Sequence, residues 1–458
     1  MKSINQRPTE IINRRNFLKI TGVAMAGGAL SLTMPRQSAS KTVTTIDHSL
    51  PDKKFWKNIQ DQFILDPKQV YMNIGTTGAM PRTVLENYNK YNHIVARHPM
   101  GFMNEMEIPK LREKLGKQFG CTMDEISPSR NTTDALNTIL FGLPFEKGDE
   151  ILLTHHEHMS GLSPLYILQD RLGVVLTEVE IPVLDLKSAD QVIEAFKKKI
   201  TNHTKAIFFS HIPYKTGVRL PAKALCRLAR DHGLISIIDG AHCSGMIELD
   251  FHDMGCDFYA ASGHKWQCGP GATGILYVRN HGDNLPKLWP QNSAVYQMFA
   301  RPMNNDRLRI KDISALFLIR GQENYPALQA MLDSCDLWEK IGRDRIETYD
   351  CRLSSYLKQR IKATFGDSVL LFSPDIPEFT SGLTSFNPFP DVSDKKKIEE
   401  FVGRLKAAGY VIRSTEFHLH VEDPKPTFAL RISTHLFHDQ IQVDGVVSTM
   451  YELYRKMV

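Results

Sequence analysis

The segment LISIIDGAH, residues 234–242, decides the fold class, because it is an apolar strand that ends in a carboxylate, Asp239. It is one of six short runs that are rich in Ile, Val, Leu and Phe and that alternate only weakly with polar residues. Such runs are typical of strands that are covered on both faces. The predicted strands are Glu150–Thr154, Val174–Val179, Lys205–Ser210, Leu234–Asp239, Asp257–Ala260 and Gly274–Val278.

Helical patterns fill the gaps between these strands. Ser188-Ala189-Asp190-Gln191 is a capping box that opens an amphipathic run to Ile200. The run from Pro221 to Arg230 carries apolar residues at helical spacing, and Gly233 stops it. Alternation of strands and helices predicts a three-layer α/β sandwich with a mainly parallel sheet of about seven strands.

The pattern changes after about residue 312. Two longer helical stretches, Ser314–Ile341 and Arg343–Phe365, precede a mixed segment of short strands and helices. We therefore predict a large domain over residues 76–311 and a smaller C-terminal α+β domain over residues 312–458. Residues 41–75 are expected to pack with the small domain.

The first 40 residues hold the whole net charge of the chain. The sequence has 56 basic and 51 acidic residues, and residues 1–40 carry six of the basic residues but only one acidic residue, Glu10. The remainder has 50 of each, so it presents no basic surplus that would indicate a nucleic-acid partner.

The same segment resembles an export signal. Arg14-Arg15-Asn16-Phe17-Leu18-Lys19 is similar to the twin-arginine motif, and an apolar run of thirteen residues, Ile20 to Leu32, follows it. Thirteen residues fall short of the roughly 20 that span a bilayer, so no stable membrane insertion is expected. The resemblance implies a signal peptide over residues 1–40 and a periplasmic location reached through the twin-arginine export machinery. A retained amphipathic tail or an uncleaved anchor is the alternative.

Three short motifs carry the chemistry. Lys265 lies in Ser262-Gly263-His264-Lys265-Trp266, just beyond a predicted strand end. Asp239, 26 residues upstream, ends another strand, and ligands bind at such strand ends in open α/β sheets. Further upstream, Asn131-Thr132-Thr133-Asp134 begins a predicted helix, where unpaired N–H groups and the helix dipole attract an anion.

These parts match the needs of one cofactor. Pyridoxal 5'-phosphate requires a phosphate cradle, a lysine for an imine and an acidic partner for its pyridinium nitrogen. An ionised Asp239 would keep that nitrogen protonated, so that the ring can draw electrons from the substrate α-carbon. Each motif alone is commonplace, but their order and spacing together indicate a pyridoxal-phosphate enzyme with its imine on Lys265.

With these motifs in place, the chain resembles the class V aminotransferase-like proteins of fold type I. That group contains cysteine desulfurases, kynureninases and isopenicillin-N epimerases. The resemblance runs from Tyr71-Met72-Asn73-Ile74-Gly75 to the C-terminus. It implies a homodimer, because in this family both subunits build the active site.

The resemblance also implies residue roles around the cofactor and the substrate. Lys265 would be the Schiff-base lysine and Asp239 the pyridinium partner. Arg431 would bind the substrate α-carboxylate, for which a planar guanidinium is suited, and Asn73 would also contact the substrate. The other expected cofactor contacts are Thr132, Thr133, Ser262 and His264 at the phosphate, His158 stacked on the ring, and His242 near the phenolic oxygen or the imine.

Three positions depart from the family pattern. Tyr214 stands where many relatives carry an Asn near the ring oxygen, and it could offer its hydroxyl or only pack. The stretch Val411 to His418, which matches the catalytic-cysteine loop of desulfurases, contains no cysteine, so a cysteine desulfurase is not expected. Gly321, in Arg320-Gly321-Gln322, fits the glycine of a Gly-Thr pair that reaches the partner's phosphate, whereas Gln322 does not fit the threonine.

Other functions find less support. His418 and His420 would share one face of a strand, but no full set of metal ligands accompanies them. No Gly-x-Gly-x-x-Gly follows a strand, which argues against a nicotinamide-dependent oxidoreductase. A non-catalytic binding protein would be expected to have lost Lys265 or Asp239. The sequence leaves the reaction open among epimerisation, elimination, C–S cleavage and amino transfer at the α-carbon of an amino acid or amino-acid-containing metabolite.

Overall fold

A computed structural model describes residues 46–280, 288–289, 291, 320–366 and 368–458. The expected signal peptide, residues 1–40, lies outside the described residues. So do the expected domain boundary between residues 311 and 312 and the first residues of the helical stretch predicted from Ser314.

Thirteen strands are found in this part of the chain, and they form three sheets. Their bounds are β1 Val70–Tyr71, β2 Ile126–Ser129, β3 Glu150–Thr154, β4 Val175–Val179, β5 Thr204–Ser210, β6 Ile235–Gly240, β7 Phe258–Ser262, β8 Gly274–Val278, β9 Leu370–Leu371, β10 Leu383–Asn387, β11 Tyr410–Val411, β12 Arg413–Phe417 and β13 Thr427–Ser433.

The helices of the described ranges alternate with the strands up to β7 and are longest after residue 320. Their bounds are α1 Asp52–Gln60, α2 Arg82–Arg97, α3 Phe102–Glu105, α4 Leu111–Gln118, α5 Thr132–Gly142, α6 Met159–Leu172, α7 Ala189–Lys197, α8 Ala222–Asp231, α9 Phe251–Met254, α10 Tyr325–Ile341, α11 Arg343–Phe365, α12 Lys395–Ala407 and α13 Gln440–Tyr454. None of these helices is long and apolar enough to cross a membrane.

The large sheet has seven strands in the order β2-β8-β7-β6-β5-β3-β4, which confirms the predicted α/β fold. Strands β3 to β7 run parallel, while β8 runs antiparallel to both of its neighbours. All six predicted strands are present, with ends within two residues of the prediction. The seventh strand, β2, was not predicted, because Ile126-Ser127-Pro128-Ser129 has only one large apolar residue; as an edge strand it tolerates the proline.

Successive residues of the central strands point into two separate apolar layers. Ile207 and Phe209 of β5 belong to one buried cluster, together with residues of α7 and α8, whereas Phe208 belongs to the other, with residues of α5 and α6. This two-residue period follows from strand geometry, in which side chains alternate between faces. The sheet is therefore covered on both sides, and its ligand-accessible places are its edges and strand ends.

A four-stranded antiparallel sheet, in the order β12-β13-β10-β9, is formed by residues after 369. The N-terminal part of the described chain contacts the same region. Strand β1 pairs in parallel with β11, and the ring of Trp56 in α1 stacks on Tyr349 of α11 at a centroid distance of 3.9 Å. The Arg345 guanidinium lies 3.4 Å from the centre of the Phe55 ring.

Candidate cofactor and substrate site

The ends of three parallel strands lie side by side and bring the predicted residues together. Ser210 at the end of β5 is the register partner of Asp239 in β6, and Asp239 is in turn the partner of Ala260 in β7. Strand β7 ends at Ser262, three residues before Lys265. The carboxyl ends of parallel strands form the usual ligand edge of such a sheet.

Asp239 is a buried carboxylate with one oxygen left open. Its side chain is 2% exposed, and Oδ1 accepts a hydrogen bond from the Ala241 N–H at 2.9 Å. Oδ2 has no hydrogen-bond partner in the described part of the chain. Burial raises the pKa of Asp239, whereas the backbone bond from Ala241 and the positive Lys265 act in the opposite direction. An N–H donor that reached Oδ2 would complete its hydrogen bonding.

The Lys265 ammonium is poised to lose its proton. The pKa of Lys265 is lowered to about 8, chiefly by burial and also by Arg431 and Arg413, while Asp239 opposes the shift. The described residues offer no hydrogen-bond partner to Nζ. A lysine amine attacks a carbonyl only when it is neutral, so this environment favours imine formation.

A close backbone crossing holds the lysine loop in place. The N–H of Gly78 donates to the carbonyl oxygen of His264 at 2.8 Å. A Cβ atom at Gly78 would lie 1.9 Å from the carbonyl oxygen of Lys265, so no larger residue fits. The Cys268 N–H donates to that same oxygen at 3.0 Å.

The start of α5 brings together the residues that are expected to hold an anion. Asn131 caps the helix by accepting a hydrogen bond from the Asp134 N–H at 2.9 Å. The hydroxyls of Thr132 and Ser262 are hydrogen-bonded at 2.7 Å, which ties the helix start to the end of β7. Thr133 is exposed beside them, and the buried Nδ1 of His264 has no partner among the residues described. Hydroxyls and first-turn amides in this arrangement suit a phosphate.

Two histidines approach the same edge. His158 caps α6 by accepting from the Ser160 N–H at 3.1 Å, and burial together with Lys265 lowers its pKa to about 4. His242 is buried, and its Nδ1 accepts a hydrogen bond from the Trp266 indole N–H at 3.1 Å. Burial and the positive Lys265 hold the pKa of His242 well below its usual range. Both imidazoles are therefore neutral.

Arg431 forms a buried cationic end of the site. It is 1% exposed, and its Nη2 donates to Asn73 Oδ1 at 2.9 Å and to Thr76 Oγ1 at 3.2 Å. Its Nε has no partner in the described ranges, and no carboxylate there neutralises it. Burial and the neighbouring Arg413 lower the pKa of Arg431 to about 9. A planar fork with an open N–H is suited to a substrate carboxylate.

Tyr214 borders this end through its ring and its backbone. Its carbonyl oxygen accepts from Arg431 Nη1 at 3.4 Å, and its ring meets that of His158 edge-on at 4.7 Å. The sequence left open whether the tyrosine offers its hydroxyl or only packs. The contacts that the structure shows are those of the ring and the main chain.

Several residues of the site were not singled out from the sequence. Thr76 follows the quoted stretch Tyr71 to Gly75, and Trp266 was quoted only as the neighbour of Lys265. Arg413 lies within the stretch Val411 to His418, which was considered only for its lack of a cysteine. Their roles depend on which strands become neighbours, so no local pattern could have identified them.

Three other residues that were noted in the sequence have partners of their own in the structure. Arg320 donates to Asp134 Oδ2 at 2.7 Å and so fixes the start of α5. His420 pairs with Glu180 at 2.9 Å, and His418 Nδ1 bonds the Asp423 carbonyl oxygen at 2.9 Å. No group of three metal-ligating side chains was found within the described ranges.

The donor set fits pyridoxal 5'-phosphate. The open Asp239 Oδ2 suits the pyridinium N–H, the hydroxyls of Thr132 and Ser262 with the helix start suit the phosphate, and the Lys265 amine suits the imine.

Comparisons with known proteins point the same way. The aminotransferase class-V profile matches residues 70–414. Isopenicillin N epimerase of Amycolatopsis lactamdurans is 27% identical over 410 residues, covering 87% of this chain and 98% of the relative. A probable cysteine desulfurase of Halalkalibacterium halodurans is 28% identical over 340 residues, covering 72% and 80%. The solved structure of a C-DES mutant with glycine covalently linked to its PLP cofactor superposes with a TM-score of 0.73 at 21% identity, covering 88% of this chain and all of that one.

Proposed function

The chain belongs to the aminotransferase class-V family and is a pyridoxal-phosphate-dependent enzyme, and from this premise we propose that it moves the α-proton of an amino acid or an amino-acid-containing metabolite. The observation that carries the proposal is a set of three groups with unused hydrogen-bonding or charge capacity, two at the strand ends of the large sheet and one in β13 of the small sheet. These are the Lys265 amine, whose pKa is lowered, the Asp239 oxygen that has no hydrogen-bond partner, and the buried Arg431, which lacks a carboxylate partner among the described residues.

When bound, the cofactor supplies an electron-withdrawing ring that weakens the bonds at the substrate α-carbon. Asp239 holds the ring nitrogen protonated, and Thr132, Thr133, Ser262 and His264 orient the phosphate. His158 is proposed to cover one face of the ring and exclude water there. His242 is proposed to donate a hydrogen bond near the phenolic oxygen, because its other nitrogen already accepts from Trp266.

Arg431 and Asn73 are proposed to orient the substrate through its α-carboxylate. The Asn73 amide oxygen already accepts from Arg431 Nη2, which fixes the plane of the guanidinium. The Lys265 amine, with a pKa lowered to about 8 by burial, would be the base that takes the α-proton near neutral pH. Epimerisation, elimination and amino transfer all begin with this transfer.

A persulfide-forming desulfurase does not fit the segment from the end of β11 through β12. That reaction needs a thiolate beside the substrate, and the residues from Val411 to His418 contain no cysteine. We therefore favour an epimerase, lyase or aminotransferase type of reaction over sulfur transfer.

The test uses the purified protein loaded with pyridoxal 5'-phosphate. We expect a yellow protein in which borohydride fixes the cofactor to the peptide that contains Lys265. In deuterium oxide, α-proton exchange should be detected by mass spectrometry across a panel of L- and D-amino acids. A colourless protein that fails to bind added cofactor, or a yellow one that exchanges no α-proton and releases sulfur from cysteine, contradicts the proposal.

We further propose export to the periplasm by the twin-arginine route, on the resemblance of residues 14–19 to that motif. This route carries folded proteins, which suits an enzyme that acquires its cofactor in the cytoplasm. Replacing Arg14 and Arg15 by lysine should retain the protein in the cytoplasmic fraction. Unchanged fractionation of that variant contradicts the route.

A homodimer is also proposed, since family members build their sites from two subunits. Gly321 supports it, because a glycine at this position fits the family segment that reaches the partner's phosphate. Light scattering coupled to size-exclusion chromatography should give twice the chain mass, and a monomer with full activity contradicts the proposal.

A further inference from the structure

Two arginines stand directly opposite each other in the antiparallel sheet beside the cofactor edge. Arg413 of β12 and Arg431 of β13 are register partners. Directly opposite residues project from the same face, with Cβ atoms about 5 Å apart, and like charges in this position destabilise a sheet. An anion bound on that face would offset the repulsion.

No carboxylate in the described ranges neutralises either guanidinium. Arg431 donates to Asn73, Thr76 and the Tyr214 carbonyl, all of which are neutral groups. Arg413 makes a long contact with the same Thr76 hydroxyl, at 3.4 Å, and its guanidinium lies 6.0 Å from the centre of the Tyr214 ring.

Other arginines of this protein are treated differently. Arg219 pairs with Glu347 and Arg320 pairs with Asp134 at 2.7 Å, and both arginines are partly or largely buried. These two arginines have carboxylate partners, whereas Arg431, which is more deeply buried than either, has none among the described residues.

A third cation approaches the same tyrosine. The Lys215 ammonium lies 5.9 Å from the centre of the Tyr214 ring, and the residue is half-buried. Burial lowers the pKa of Lys215, while three glutamates raise it, although none of these forms an ion pair with it in the described structure. The hydroxyl of Thr415, on the same face of β12 as Arg413, donates to the Lys215 backbone carbonyl at 3.3 Å and so holds the lysine segment against the strand.

A substrate with one carboxylate would leave this charge unmatched. Its α-carboxylate would neutralise Arg431, which leaves Arg413 and Lys215 without an ion-pair partner among the described residues. We propose that Arg413 and Lys215 form a second oxyanion subsite beside Tyr214, so that the substrate is an amino acid whose far end carries a carboxylate or a phosphate. This inference rests on the proposed function, because it assigns the α-carboxylate to Arg431.

The exposure of Arg413 fits this role. A guanidinium that is reachable from solvent can receive the far end of a substrate whose α-carbon lies deeper, at Lys265. Such a side chain also keeps its rotamer freedom until the anion arrives, so its contribution should depend on the length of the substrate.

The binding test compares two non-reactive probes on the cofactor-loaded protein. Glutarate carries two carboxylates and pentanoate one, on chains of equal length. Isothermal titration should show glutarate binding about tenfold or more tightly in the native protein. The preference should vanish in Arg413→Gln and shrink in Lys215→Gln, while pentanoate affinity changes less than about threefold.

Lys395→Gln is the matched control. Lys395 is a surface cation 3.7 Å from Glu416, a residue on the opposite face of β12 from Arg413, so its loss should leave the glutarate preference intact. A thermal melt adds an independent readout without ligand. Arg413→Gln should melt at the same temperature or higher, because it removes a repulsion, whereas a merely structural Arg413 would lower the melting temperature.

Rates of α-proton exchange then show whether the far-end group is a carboxylate or a phosphate. They also distinguish a failure of the second subsite from a failure of the proposed function. L-Glutamate or O-phospho-L-serine should exceed L-norvaline in kcat/KM by about tenfold or more, and the better of the two identifies the oxyanion. Equal binding of glutarate and pentanoate by a yellow protein that exchanges norvaline overturns only the second subsite. A protein that binds no cofactor and exchanges nothing overturns the proposed function instead.

Discussion

Two buried carboxylates at strand ends on the two sides of β5 show how this fold separates structure from chemistry. Both carboxylate oxygens of Glu157, just after β3, accept hydrogen bonds, and we call such a group closed. One oxygen accepts from the Thr154 hydroxyl and the Ser210 N–H, and the other accepts from the Ser210 hydroxyl. Asp239 of β6 is the register partner of Ser210 in β5. One carboxylate oxygen of Asp239 has no hydrogen-bond partner among the described residues, so we call this group open. Both side chains are nearly inaccessible, at 1% and 2% exposure.

Two lysines repeat the contrast. Burial lowers the pKa of both Lys265 and Lys358 to about 8. Lys358 is fully buried in α11, and its ammonium donates to the Pro374 carbonyl at 3.0 Å and to the Thr380 hydroxyl at 3.4 Å. The Lys265 ammonium has no such partner in the described part of the chain.

The pairs teach that a shifted pKa alone does not mark a functional group here. What distinguishes Asp239 and Lys265 is unused hydrogen-bonding capacity at a strand edge that a ligand can reach. Burying a polar group without a partner costs about 1 to 3 kcal/mol, so a fold retains such groups where a ligand completes them. The contrast can be tested by changing one open and one closed group at a time.

The largest effect is expected at the lysines. Lys265→Ala should abolish turnover and the yellow colour, because no other amine is placed to form the imine. Lys358→Met, which removes a buried cation of similar length, should keep kcat within about threefold but lower the stability of the protein. Steady-state kinetics, the visible spectrum and thermal melts of both variants measure this. A Lys358 variant as inactive as the Lys265 variant, yet fully folded, would erase the distinction.

At the carboxylates, Asp239→Asn should slow turnover by about a hundredfold or more while cofactor stays bound. The neutral amide cannot hold the ring nitrogen protonated, and each tenfold loss in rate corresponds to about 1.4 kcal/mol of barrier. Phosphate and imine contacts do not involve this residue, so the visible spectrum should still report bound cofactor.

The matched variant is Glu157→Gln, which should keep kcat within about threefold. The alternative for Asp239 is that it only caps the strand end. In that case Asp239→Asn would lower thermal stability with or without cofactor and leave turnover nearly normal, and this outcome removes Asp239 from the mechanism.

The contribution of Glu157 to the stability of the protein should depend on pH. Burial raises the pKa of Glu157 to about 7 from an ordinary value of 4.5, although the bonds from Ser210 and Thr154 oppose the shift. Between these pH values the folded protein keeps a proton that the unfolded chain has lost, so this group's contribution to stability falls as the pH rises.

The total change is about 3 kcal/mol, at about 1.4 kcal/mol for each pH unit. Glu157→Gln lacks this titration, so its stability relative to the native protein should improve steadily between pH 4.5 and 7. Melting temperatures of the two proteins across that range test this. A difference that does not vary with pH would mean that Glu157 titrates elsewhere.

The sequence predicted the parts of this molecule that are determined locally. Apolar runs fixed six strands to within two residues, because a buried strand must be apolar along its whole length. Asp239 and Lys265 were found because each follows such a run. Edge strand β2 was missed, since its single large apolar residue gives no strand signal.

Contacts between distant segments could not be predicted in the same way. The pairing of Arg413 with Arg431 depends on the register that the intervening loop imposes, and a shift of one residue would turn Arg413 to the other face. The hydroxyl pair of Thr132 and Ser262 joins residues 130 positions apart. No spacing in the sequence encodes such contacts.

The smallest expected effect concerns His242, in which one ring nitrogen is hydrogen-bonded and the other is not. Its Nδ1 accepts from the indole N–H of Trp266, and an indole can only donate. The neutral ring must therefore carry its proton on Nε2, which has no partner in the described structure and is available to the cofactor. Trp266→Phe removes that restraint, and kcat/KM should fall by about three- to tenfold while the cofactor remains bound.

Trp338→Phe is the matched control, because Trp338 is equally buried and its indole N–H donates to the Gly245 carbonyl at 2.8 Å, without contacting a histidine of the site through that nitrogen. Both variants lose one indole hydrogen bond and similar volume, so both should melt at a lower temperature. Only Trp266→Phe should shift the absorption maximum of the bound cofactor, since only there does a neighbour of the chromophore change its hydrogen bonding. Equal losses of activity and identical spectra in the two variants would show that Trp266 serves packing alone and that His242 is not held in one tautomer by it.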